Sequence, residues 1–246
     1  MTRVPYNKGD AYENNIFRIL KAKGLLVAGA KRAGAGGGAD VVFLHKGKSY
    51  KLEIKLDKGV DYGQKMLVWS AKDGWRWSED DDVTRLYTEL GVLKFLKKKG
   101  VVPIKFSKPN TNITQADKEA DQKNFEDRLP NIPMEALFKY YEGKGCFYIQ
   151  IGKGFGFYHL SKDVAKLGTQ QFNAILRLRF RAKTIHSRPV WNYGFYAVLK
   201  IVSIGTKSKF NIEPAKGQVF PPIDARQNSG KHICTRFSRL LQRRRA

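Results

Sequence analysis

The chain has 246 residues, with 46 Lys and Arg against 22 Asp and Glu, and a formal net charge of +24. A surplus of that size makes phosphate-rich polymers the favoured partners, bound in a salt-dependent way. Its two cysteines, Cys146 and Cys234, exclude a disulfide framework, no Cys/His spacing suits structural zinc, and no apolar run approaches the roughly 20 residues of a membrane-spanning helix.

The amino terminus lacks the long apolar core of a signal peptide. With only two cysteines as well, the expected setting is intracellular and reducing, with no membrane partner. Asp10 is placed to cap a helix over residues 11–23, with Gly24 as its stop. Ile16, Ile19, Leu20 and Lys23 follow helical spacing, and Glu13 falls on the same inward stripe, where an acid needs a partner. The run Ala33-Gly34-Ala35-Gly36-Gly37-Gly38-Ala39 leads straight into Asp40 and allows close approach of backbone or ligand. As a phosphate cradle it lacks the Walker lysine pattern and a following helix.

Val41-Val42-Phe43-Leu44 reads as a buried strand, residues 45–48 as a turn, and Ser49 to Leu56 as a second, alternating strand. Tyr50, Leu52, Ile54 and Leu56 point one way along it, and Lys51, Glu53 and Lys55 the other. If Leu44 stands opposite Ser49, counting back places Asp40 opposite Glu53, where paired Cβ atoms lie roughly 4.5–5.5 Å apart. Two like charges at that distance repel, and a divalent cation relieves them. A slip of one residue would move Glu53 to the other face. Two carboxylates can hold Mg²⁺, which polarises a phosphoryl oxygen and lowers the pKa of bound water, while a neighbouring ammonium orients the nucleophile. The plain alternative is the solvated face of an amphipathic hairpin.

Taken together, Lys8-Gly9, Glu13, Arg32, the glycine run, Gly38-Ala39-Asp40-Val41-Val42 and Leu52-Glu53-Ile54-Lys55 resemble the core of the PD-(D/E)XK nuclease superfamily. The likeness covers the first third of the chain and is nearest to archaeal Holliday-junction resolvases and the restriction-endonuclease-like branch. It implies an α/β (α+β) fold with a central mixed sheet flanked by helices. It also implies metal ligation by Asp40, Glu53 and the Ile54 carbonyl, with Lys55 as catalytic lysine. Glu13 and Gln64 would complete the site, Mg²⁺ would be the cofactor with Mn²⁺ as a substitute, and Arg32 would contact nucleic acid. Gly38-Ala39 stands where the superfamily's name has a proline, and the chain is far longer than a minimal resolvase.

Downstream, Trp69, Trp75 and Trp77 flank a glycine turn, and Ser78-Glu79-Asp80-Asp81-Asp82 opens a helix expected to end at Lys97-Lys98-Lys99-Gly100. Acid first and base last suits the helix dipole. Residues 103–133 are polar and connecting, helical around 116–129. Strands are expected over 145–152, 155–160, 174–183 and 194–204. The third alternates Arg177, Arg179, Arg181 and Lys183 against apolar residues, a row of bases that phosphates lying across it would favour. Arg188 continues that surface, as do Arg236, Arg239 and Arg243 in a tail without acids. The expected division is a nuclease core over 1–100, a connection over 101–135, a strand-rich basic region over 136–226 and a basic tail over 227–246. The expected activity is Mg²⁺-dependent cleavage of duplex or branched DNA by a homodimer, since two antiparallel strands need two equivalent centres. The competing readings are a non-catalytic nucleic-acid-binding module and a structural protein of a ribonucleoprotein or virion.

Overall fold

A computed structural model describes residues 8–30, 39–109, 112–125, 131–186 and 191–213. The mixed helix-and-sheet class expected from the sequence holds, and two compact units divide the chain. The described residues of unit 1 fall within Met1–Val60, Leu137–Ala174 and Ile204–Ala246; unit 2 takes Asp61–Ala136 and Ile175–Ser203. The division is thus interleaved, whereas the sequence suggested successive blocks with a boundary near residue 100. Local patterning marks where strands lie but carries no signal for a chain that leaves one sheet and later returns to it. Among the described residues no helix is long and apolar enough to cross a membrane.

Unit 1 begins with α1 (Lys8–Ala22), which buries Tyr12, Ile16, Ile19 and Leu20. The helix starts earlier than expected, so Asp10 lies in its first turn, where its charge complements the dipole, instead of capping it. Gly24 is the expected stop: at φ 65° it takes the left-handed turn, and the Leu25 N–H reaches back to the Leu20 carbonyl at 3.0 Å. Strands β1 (Val41–His45) and β2 (Lys48–Lys55) form a hairpin whose turn is two residues long, not four. Lys46 and Gly47 both have positive φ, 50° and 76°, the primed turn whose twist matches the flanking strands.

Helix α6 (Met134–Gly143) precedes β6 (Cys146–Ile151), and β7 (Gly156–His159) follows it. The sheet order is β1-β2-β6-β7, with β2 parallel to β6 and the other neighbours antiparallel. One face carries Val41, Phe43, Leu52, Ile54 and Tyr148, which join the apolar stripe of α1 in a single core. Tyr148 stacks on Phe157 and meets Phe43 edge-on.

Unit 2 contains β3 (Asp61–Ser70), β4 (Gly74–Trp77), β5 (Asn131–Ile132), β8 (Ala174–His186) and β9 (Asn192–Ile204), in the order β4-β3-β9-β8-β5. Its helices are α2 (Asp82–Glu89), α3 (Val92–Lys99), α4 (Ile104–Ser107) and α5 (Gln115–Phe125). The single helix expected up to Lys99 is two, because Gly91 sits at φ 82° and ends the first. The acidic run does cap: Asp81 accepts the N–H groups of Val83 and Thr84, and Thr84 returns the bond to the Asp81 N–H. Trp75 packs among Phe106, Phe125 and Phe195, and Trp77 meets Tyr87, so these half-buried tryptophans are engaged in packing within the unit. Residue Phe180 stacks on both Phe95 and Phe195.

Where β6 ends, Gly152 donates its N–H to the Lys55 carbonyl at 2.9 Å. A Cβ there would come within 2.5 Å of the Leu56 carbonyl oxygen and 2.6 Å of the Tyr12 hydroxyl. Gly152→Ala is therefore expected to lower stability by about 2 kcal/mol or more, as an overpacked core does; urea denaturation with an unchanged midpoint would refute this contact.

Candidate active site

The hairpin register is the one anticipated: Val41 pairs with Leu52 and Leu44 with Ser49, so the next step along the ladder sets Asp40 opposite Glu53. The Asp40 carboxylate accepts the Ile54 N–H at 2.6 Å, and Lys55 Nζ pairs with Glu53 Oε1 at 2.5 Å. Glu53 and Lys55 are largely enclosed, with side chains 12% and 19% exposed. The parallel strand supplies the wall. Glu53 pairs with Ile149 and Lys55 with Ile151, both isoleucines being fully buried.

This apolar wall shapes the electrostatics. Burial first, and then the charge of Glu53, push the Asp40 carboxyl up to about 7; Lys55 and the Ile54 N–H oppose the rise, and Glu13 adds to it. For Lys55 burial works against the ammonium, but Glu53, Asp40 and Glu13 outweigh it and hold the pKa above its ordinary value. Glu13, half-buried on α1, therefore belongs to the same electrostatic group, as its place on the inward stripe suggested.

Cys146, which no local sequence pattern links to the acids, pairs with Lys51 where β6 begins. Burial and then the nearby Glu53 push its thiol up to about 12, the reverse of an activated nucleophile. Lys51 shares the strand face with Glu53 and donates to the Lys144 carbonyl at 2.6 Å. A parallel partner that follows a long excursion leaves no local pattern, so neither Cys146 nor the two isoleucines could be assigned to this wall in advance.

Other expected site residues are placed differently. Gln64 lies on β3 in unit 2, half-buried in an irregular stretch between Tyr62 and Lys65, while the carboxylates belong to unit 1. Arg177 and Lys183 are exposed on β8 as expected. Arg179 and Arg181 are not an uncompensated row: both pair with Asp61, Arg179 at 3.1 Å. Trp191 packs against Tyr193. Arg32, Arg188, Arg236, Arg239, Arg243 and the glycines at 34–38 lie outside the described residues.

Among the described residues no three His, Cys, Asp or Glu side chains gather as a metal cage. Mg²⁺ needs no such cage, since it is commonly held by one or two carboxylates with water and substrate phosphate completing its shell. The donor set of Asp40, Glu53 and the Ile54 carbonyl fits that pattern, and the raised Asp40 marks a carboxylate pair that a cation would relieve. Comparison with family models, curated proteins and solved structures gives no match.

A carboxyl whose folded pKa lies near 7, above the ordinary 3.8, holds its proton more tightly folded than unfolded. Its contribution favours folding below the ordinary value and is lost as pH rises through the folded one. Asp40→Asn keeps an acceptor for Ile54 and removes the charge. It is expected to raise stability above pH 7 by an amount on the order of 2 kcal/mol. Thermal melts across pH would show the gain shrinking toward acid; a gain independent of pH would contradict the assignment.

Proposed function

We propose that the chain is a metal-dependent endonuclease with a PD-(D/E)XK-like, restriction-endonuclease-like core, hydrolysing phosphodiester bonds in DNA. The observation that carries the reading is the confrontation of Asp40 and Glu53 across the hairpin, with Lys55 against Glu53 and an apolar wall behind them. The mixed four-stranded sheet and its α1 cover support the same reading.

Asp40, Glu53 and the Ile54 carbonyl would hold Mg²⁺, or Mn²⁺ in its place. The ion would polarise a phosphoryl oxygen and lower the pKa of bound water. Asp40 must give up its proton to act as a ligand, and the Ile54 N–H fixes the direction of its carboxylate. Lys55 stays an ammonium because its neighbours are anionic, so it orients the attacking water and offsets charge on the phosphoryl oxygens rather than serving as a base. Glu13 adds negative potential from the helix side. The substrate is duplex or branched DNA, with target choice like that of a junction resolvase or a restriction enzyme, cut by a homodimer.

One observation favours a second reading. Glu53 is already neutralised by Lys55, and Asp40 already accepts a backbone N–H, which is how a salt-bridged hairpin in a non-cutting nucleic-acid-binding module would look.

Cleavage of supercoiled plasmid, linear duplex and a synthetic four-way junction, in Mg²⁺ or in EDTA, separates the two. Under the nuclease reading cutting requires the metal and falls by about 100-fold or more in Glu53→Ala and Lys55→Ala, while DNA affinity is nearly kept. Metal-dependent cutting by Lys55→Ala at the wild-type rate would dismiss the assigned centre, and binding without cutting on every substrate would favour the module.

A further inference from the structure

In unit 2 the two faces of the sheet differ in kind. Phe180, Phe195 and Trp75 share the aromatic face that packs on Phe106 and Phe125. The strand pairings fix the other face: Asp61 stands opposite Lys200, Met66 opposite Tyr196 and Val68 opposite Arg76. Arg179 and Arg181 join this face because both reach Asp61, and Arg177 and Lys183 join it by alternation along β8. Among the described residues of the five strands Asp61 is the only acid. The remaining strand base, Lys65, is paired with Glu79 and Asp81.

Tyr196 lies flat over its neighbour on this face: a Cβ on Gly194 would come within 2.5 Å of the Tyr196 ring. Arg76, Arg177 and Lys183 are exposed, and Ile175 and Val202 are 48% and 43% exposed on β8 and β9. A twisted sheet face bearing six bases, one acid and a flat-lying ring complements a sugar–phosphate backbone in charge.

Two guanidinium groups converge on the single carboxylate of Asp61, with Arg179 Nη2 lying 3.1 Å from Oδ1 and 3.4 Å from Oδ2, and Arg181 Nη1 also at Oδ2. Guanidinium forks bind carboxylate and phosphate oxygens in the same planar manner. We propose that this face, through Arg76, Arg177, Arg179, Arg181, Lys183 and Lys200, is a DNA-backbone-binding surface on which Asp61 stands in for a phosphate until one displaces it. Asp61 thus lowers affinity in the free protein and holds the two arginines in the orientation that a phosphate will use. The proposal rests on the reading of the chain as one that acts on DNA, but not on cleavage.

Binding of a short fluorescent duplex, followed by anisotropy in EDTA over a series of salt concentrations, tests it. Asp61→Asn keeps shape and an acceptor while removing the charge. It is expected to tighten binding by about threefold to tenfold at low salt and to steepen the salt dependence, since each added phosphate contact contributes a slope of about 0.9. Arg177→Ala, on the exposed part of the row, is expected to weaken binding by about threefold or more. Circular dichroism of both variants separates these effects from misfolding. Unchanged or weaker duplex binding by a folded Asp61→Asn protein would overturn the proposal. So would tighter binding of anionic phospholipid vesicles by that variant with duplex affinity unaltered, which would make the face a membrane-surface site. Because no metal is present, loss of this surface and loss of the nuclease centre are read in different assays.

Discussion

Everything distinctive about unit 1 depends on the register of one hairpin. The two-residue turn at Lys46-Gly47 leaves no slack: with both residues at positive φ, His45 must face Lys48, and each pair up to Val41 and Leu52 follows. Sequence period fixes the rest. Because side chains alternate, the pairing that buries Leu52 and Ile54 against α1 also turns Glu53 and Lys55 to the opposite side, toward Asp40. The hydrophobic effect and the acidic cluster are therefore one constraint seen from two faces. A shift by one residue would expose the core strand and scatter the charges together.

The second constraint on the site is dielectric. On a solvated strand face, a glutamate two residues from a lysine is an ordinary ion pair worth little. With Ile149 and Ile151 alongside in the parallel ladder, the same residues sit where water is scarce, and the carboxyl of Asp40 moves toward neutrality. The apolar wall thus turns a commonplace pattern into one in which a single carboxyl, Asp40, changes its protonation near neutral pH.

Much of this was legible in the residues. The α1 stripe, the Gly24 stop, the hairpin register, the β6 and β7 spans and the alternation of β8 all rest on local periodicity or on a single turn residue. Such signals act over a few positions. What was not legible is long-range: the parallel pairing of β2 with β6, the burial of Ile149 and Ile151 beside the acids, and the capture of Arg179 and Arg181 by Asp61. Asp61 lies far from β8 in sequence, so a charge count along β8 alone sees four bases and no counter-ion. Gly91 illustrates a nearer miss, where a helical pattern of hydrophobic residues runs on through a residue whose backbone does not.

The interleaving of the two units sets an order of assembly. Asp40, Glu53 and Lys55 leave the ribosome early, but the strand that walls them in, Cys146–Ile151, is synthesised only after the first segment of unit 2. That closure spans a long loop and is a late, entropically costly step. β9, in turn, completes the sheet of unit 2 from a segment synthesised after β6 and β7 of unit 1. Neither unit can be cut out as a continuous piece of chain. A nascent polypeptide therefore carries Asp40 and Glu53 through a long interval of synthesis before the isoleucine wall beside them has been made.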